Sequence, residues 1–202
     1  MSAARIKRRK RSAAEARDEA LAAARALLLA QGPAAVTLAN VGHAIAMSHS
    51  NVLHHFGSAA GLHAALMEAM IRDLADALGD AVGALHLDAE APGRLVDRVF
   101  DAFGTGGAGQ LAAWLVLARE VDHFDTLDHA VTDLVAAVRA RVPDSPDSEL
   151  RIRGIVLLIA VCAFGDALIG PHLRRMLGQE ASATRELVAR LLPLMIAPPQ
   201  RD

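Results

Sequence analysis

The chain has no tyrosine, one tryptophan, five phenylalanines and a single cysteine among its 202 residues. One cysteine excludes an intrachain disulfide and the paired-cysteine zinc sites that staple many small domains. Aromatics at 3% mean that the core must be built mainly from Ala, Leu, Val and Ile. A Gly-rich phosphate loop, a dinucleotide fingerprint and a nucleophile elbow are also absent, so the enzyme classes that announce themselves by motif are not expected. No alternating apolar and polar stretch closes on a hairpin turn, which argues against strands. The longest apolar run, 155–165, stops at Asp166 and is too short to span a bilayer. Glu15, Arg17, Asp18, Glu19 and Arg25 interrupt any apolar stretch behind the basic start, so a secretory signal is not expected. Cys162, alone within the apolar run, reads as a buried thiol in a reducing cytoplasm.

What is present points to helices. Hydrophobic residues make up 53% of the chain and the mean hydropathy is +0.28, enough for a sizeable core. Frequent Ala and Leu with few β-branched runs favour an all-α fold. The formal net charge of −2 hides an asymmetry. Residues 5–11 hold six positive charges: Arg5, Lys7, Arg8, Arg9, Lys10 and Arg11. Removing those six from 21 leaves 15 basic against 23 acidic residues, a net −8 for the remainder. A basic arm on an acidic body is a footprint of nucleic-acid contact, although a solvated tail has the same composition.

The stretch 37–66 decides between them. It reads as two short helices around a tight corner, followed by a long helix. Thr37, Ser48 and Ser58 each supply an N-cap hydroxyl. The second short helix, 48–55, carries Ser48, His49, Ser50, Asn51, His54 and His55 around three apolar anchors, Val52, Leu53 and Phe56. A helix so crowded with small hydrogen-bonding side chains buries little and suits a DNA major groove.

These residues resemble the N-terminal domain of the TetR (tetracycline-repressor-like) transcriptional regulators. Thr37, Val41, Ser48, Val52, His55, Phe56, Ser58 and Leu62 stand at the family's pattern positions, without insertion. The chain departs from the pattern at Leu53, where the family has Tyr, and at Ala59, where it has Lys; in the family both usually touch phosphate. Ala46 replaces a corner Gly, Gly42 a helix Ala and Ser50 a Gly. The resemblance implies a ligand-responsive, homodimeric DNA-binding regulator, more often a repressor than an activator, with no enzymatic activity. Asn51 and His54 are then the expected base readers. Thr37, Ser48, His49 and Ser50 are expected to fix register on phosphates, with His55 also on the DNA side and the arm adding sequence-independent affinity.

Three divisions are expected: a disordered basic arm over 1–14, a helix-turn-helix domain over 15–60, and an effector-binding and dimerisation domain over 61–202. The first helix covers 15–31, with Leu21, Ala24, Leu27 and Leu28 on one stripe. The fourth carries Leu62, Leu66, Met70, Leu74 and Leu78 every fourth residue, and is the natural lever between reading head and body. Further helices are expected over 91–103, 108–121, 127–142, 146–177 and 183–195, with Gly170–Pro171 kinking or splitting the penultimate one. Its run 155–165 is apolar on nearly every side and needs burial all round, which a subunit interface would supply. The resemblance implies that the last two helices pair with their two-fold mates.

Chemistry beyond DNA contact is sparse. Glu120, Asp122, His123, Asp125, Asp128 and His129 cluster, and Glu120-x-x-His123 copies half of a di-iron motif, but no second half exists. A helical-bundle metalloenzyme using Glu120, His123 and Asp166 is one rival reading; a non-DNA-binding interaction module is the other. No metal or cofactor is expected. The resemblance also implies a small-molecule pocket, for which Phe100, Phe103, Trp114, His123, Phe124, Cys162, Phe164 and Asp166 are the candidate lining residues.

Overall fold

The computed structural model describes residues 12–83, 88, 90–119, 124–140 and 148–196; the basic arm lies outside them. Among the described residues the regular elements are α-helices and one short 3-10 turn. Helix α1 (Ala13–Gln31) opens on a reciprocal cap. The Glu15 N–H donates to Ser12 Oγ at 3.1 Å, and the Ser12 N–H donates to a Glu15 carboxylate oxygen at 2.8 Å. That box corrects the expectation of disorder as far as residue 14: Ala13 and Ala14 are helical. The Ser12 hydrogen bond holds the Glu15 carboxyl below its ordinary range. The buried stripe is Ala16, Ala20, Ala24 and Leu28, with Leu21 and Leu27 at its margins. Small side chains at this four-residue spacing let neighbouring helices approach closely.

Gly32, in the left-handed region at φ 83°, ends α1, and a 3-10 turn (Pro33–Ala35) leads to α2 (Leu38–Ala44). Thr37 Oγ1 accepts from the Asn40 N–H at 3.1 Å, as its sequence position foretold. Helix α3 (His49–Phe56) follows a corner in which Ala46 adopts φ 53°. That conformation costs a non-glycine residue about 1 kcal/mol. Gly42 is what lets the corner close: a Cβ there would stand 2.7 Å from the Met47 carbonyl oxygen. Ser58 Oγ accepts from the Gly61 N–H at 2.9 Å and starts α4 (Ala59–Gly83).

The remaining helices are α5 (Ala91–Phe103), α6 (Ala108–Leu117), α7 (Phe124–Arg139), α8 (Ser148–Leu177) and α9 (Ala183–Ile196). Helix α5 occupies the span expected for it. Helix α6 ends at Leu117, short of the expected 121, because Arg119 turns left-handed at φ 55°. Helix α7 begins and ends three residues earlier than the pattern suggested. Of the kink or split expected at Gly170–Pro171, the split does not occur: α8 runs through Pro171 as one helix.

Two apolar cores organise the chain. The first joins α1, α2, α3 and the front of α4, and takes Ala108, Leu111 and Leu115 from α6. The second joins the back of α4 with α5, α7, α8 and α9 around Val96, Phe100, Leu134, Ile159 and Leu192. Helix α4 belongs to both, so the first core includes Leu62, Leu66 and Met70, beyond residue 60.

The outer side of α8 is conspicuous. Leu157 is 66% exposed, Val161 59% and Met176 73%, and Leu187 and Leu194 on α9 are exposed as well. By length and composition alone α8 could cross a bilayer: one 18-residue window has a mean hydropathy of 2.2, and only 17% of it is buried within the chain. The run 155–165 does not, therefore, find burial all round inside one chain.

Candidate nucleic-acid interface and the cavity behind it

Helix α3 is held by its inner face. Val52 is fully buried and Phe56 nearly so. Ser48 Oγ accepts from the Asn51 N–H at 3.2 Å, fixing the N-terminus. At the other end, Arg17 Nη1 donates to the His55 carbonyl at 2.9 Å, and its guanidinium lies 4.7 Å from the centre of the Phe56 ring. Arg17 was missed by sequence reasoning, because its partners lie 38 and 39 positions away and no local pattern links them. It braces α1 against the last turn of α3, where its charge also suits the helix C-terminus.

Opposite the Val52–Phe56 stripe, the helical period places Ser50 and His54 outermost, with Asn51 and Leu53 on the two flanks. Ser48, His49, Ser50, Asn51, Leu53 and His54 are all exposed, whereas His55 is half-buried. Thr37 is half-buried at the head of α2. The structure thus brings six of the expected interface side chains (Ser48, His49, Ser50, Asn51, His54 and His55) onto one short helix. Leu53 presents an apolar edge where hydrogen-bonding groups surround it. The six arm cations, Arg5, Lys7, Arg8, Arg9, Lys10 and Arg11, lie outside the described residues.

Behind this head, the second core is not filled. A cavity of about 210 Å³ lies between α4, α5, α7, α8 and α9. Its walls are aliphatic: Leu74 and Leu78 from α4, Leu95 and Val99 from α5, Leu134 and Val138 from α7, Ile152, Ile155 and Ile159 from α8, Leu192 from α9. Phe103 is its aromatic residue, and Ser148 and Arg151 are its polar ones.

Of the eight residues singled out for a pocket, Phe103 lines this cavity. Phe100 is 2% exposed and packed in the second core with the Arg185 guanidinium 5.6 Å from its ring centre. Trp114 sits at the surface of α6, and Cys162 packs half-buried against the second core. Phe164 is half-buried on α8 outside the cavity lining. Asp166 is ion-paired with Arg174 two turns along α8, and Arg174 also reaches Thr184 of α9 at 3.3 Å. Gly170 makes that pair possible, since a Cβ there would meet the Asp166 carboxylate at 2.6 Å. His123 lies outside the described residues, as does the side chain of Phe124. The sequence argument favoured aromatic and polar residues; the cavity is instead bounded by branched aliphatic side chains whose convergence from five helices leaves no local signature.

Of the acidic cluster, Glu120, Asp122 and His123 lie outside the described residues, and Asp128 and His129 are exposed. Among the described residues no three His, Cys, Asp or Glu side chains converge as metal ligands.

An all-α body carrying a capped corner and a protruding polar helix has the architecture of a helix-turn-helix protein. Residues 20–66 match the family model of bacterial regulatory proteins of the tetR family, which makes this stretch similar to the helix-turn-helix domain of those regulators. A crystal structure from Mesorhizobium loti MAFF303099, described as a candidate TetR-family transcriptional regulator, superposes with a TM-score of 0.61 at 13% identity. The match covers 93% of this chain and 98% of that one, so the likeness of fold extends through the body. No curated protein matches the chain significantly in sequence.

Proposed function

We propose that the chain is a cytoplasmic, homodimeric repressor that reads a palindromic operator and is released from it by a small molecule bound in the cavity. The observation that carries this reading is the outward line of Ser50 and His54, flanked by Asn51, on a helix anchored by Val52 and Phe56. Asn51 and His54 read base edges; Thr37, Ser48, His49 and Ser50 set the register through phosphates, with His55 at the inner margin. The arm adds affinity without specificity. The exposed apolar faces of α8 and α9 pair with the same faces of a second copy. The two reading helices then stand about 34 Å apart, one turn of B-DNA. The cavity shares α4 with the reading head, so a ligand that prefers one setting of α4 shifts the spacing of the two heads by its differential affinity.

Gel-shift binding to the upstream region of its own gene, followed by selection of bound fragments, tests this. Asn51→Ala relaxes preference at one or two base positions by about 1–3 kcal/mol. Deleting residues 1–11 weakens all DNA alike and flattens the salt dependence. A selected sequence logo unchanged by Asn51→Ala removes that residue from the readout. Shallow salt dependence with no preferred site would support an interaction module instead.

A further inference from the structure

We propose that the cavity takes an uncharged, hydrocarbon-like molecule of about eight to ten non-hydrogen atoms, held by shape and burial and by no charged group of the protein. This rests on the effector reading above and names the chemistry of that site. Three observations carry it.

The first is the continuity of the walls. Among the described residues, the side chains that α4, α5, α7 and α9 contribute are apolar throughout, and α8 is aliphatic from Ile152 to Ala160. A charge of either sign set against these walls would lose its water and gain no counter-ion. The second is that the polar groups at the α8 end are already engaged. Ser148 is 3% exposed, and its hydroxyl accepts from Arg139 Nη1 at 3.1 Å. Arg139 also lies 3.9 Å from the exposed Glu149 carboxylate, which pairs with Arg153 at 2.6 Å. Arg139 and Arg151 each have further interactions. Asp147 directly precedes Ser148 in the chain and Asp144 stands three residues before it; both lie outside the described residues. An anion would have to displace partners of the two guanidinium groups, and a cation would meet their like charge. Among the described residues no buried side-chain nitrogen or oxygen lacks a partner, so no buried polar atom calls for a ligand. The third is size. An apolar cavity of about 150 Å³ accommodates benzene, so 210 Å³ holds roughly eight to ten non-hydrogen atoms.

The site also touches the reading head. Ile71 lines the cavity and packs against the first core from the same helix.

The test uses purified full-length protein and three probes: ethylbenzene, phenylacetate and 2-phenylethylammonium. All three carry the same ring on a two-carbon chain, and they differ in charge. Calorimetry and thermal shift are expected to rank ethylbenzene first and each ion more than about tenfold weaker. Either ion binding within about tenfold of ethylbenzene overturns the proposed ligand class. Two variants locate the site. Ile155→Phe fills the cavity and is expected to abolish ethylbenzene binding. Val99→Thr keeps the shape of the wall, adds a hydroxyl to it and is expected to weaken ethylbenzene about fivefold; it serves alone should the phenylalanine prevent folding. Ethylbenzene bound as tightly by the folded variants lies elsewhere, which also overturns the proposal. The gel shift separates the two readings. Ethylbenzene that binds as expected yet leaves DNA binding unchanged overturns the effector role and upholds the ligand class. Absent ethylbenzene binding with specific DNA binding intact overturns the ligand class alone.

Discussion

The two cores of this chain are finished to different degrees. The first, beneath the reading helix, is closed: Leu28, Val36, Val41, Val52, Leu62 and Leu111 are all fully buried, and each short helix begins on a hydroxyl cap. Its outer surface is polar, the face on which the proposed function places DNA. The second core contains a cavity, and its outer helices expose Leu157, Val161, Leu173 and Leu194 to water. Its outer surface is apolar, the face on which the proposed function places a second copy. On the proposed function the two divide the work: the head presents side chains in fixed register, and the body accepts an effector and a second copy.

The largest expected effect attacks the body. Leu157→Glu together with Val161→Glu places charges on the proposed pairing face. Burying an unpaired charge costs about 3–5 kcal/mol, so sedimentation should show monomers, and operator affinity should fall by roughly two to three orders of magnitude. A dimer that survives both changes moves the interface elsewhere. The next attacks the head where the two regions meet. Leu111→Ala empties the plug that α6 inserts into the first core and should lower stability by about 2–5 kcal/mol in urea unfolding. A smaller effect sharpens the contrast. Ala46→Gly relieves the left-handed corner residue and should raise the stability of the head by about 1 kcal/mol in urea unfolding, while leaving dimerisation unchanged in sedimentation. The smallest concerns pH. The folded-state pKa of Glu15 lies below its ordinary 4.5. Its cap therefore contributes fully above that value and loses its contribution as pH falls through the folded-state pKa. Amide exchange at Ala13–Ala16 should rise selectively over that acidic range; exchange that is flat with pH would leave Glu15 without a capping role.

Much of the head was legible because its signals are local. Thr37, Ser48 and Ser58 each bond a backbone N–H three residues on, and a contact of that range is written in the sequence itself. The departures at Gly42 and Ala46 were visible too, but their meaning was not: that Gly42 makes room for the Met47 carbonyl while Ala46 bears a positive φ needs coordinates. Arg17, Asp166 and the cavity were read poorly for the same reason. Arg17 finds His55 across two helices, and Asp166 finds Arg174 only because Gly170 leaves a gap beneath them. Gly170–Pro171 was expected to kink or split α8, and the split is absent; losing one backbone hydrogen bond is not enough to end a helix packed against α5, α6, α7 and α9.

By itself the sequence determined the helices, their caps and the polar character of the reading surface, because each depends on residues within one or two turns of each other. Tertiary structure alone decided which side chains line the cavity, which polar groups stand at its end and which apolar faces stay uncovered. Those depend on how five helices of similar aliphatic composition are set against one another, and periodicity within a helix carries no record of its neighbours.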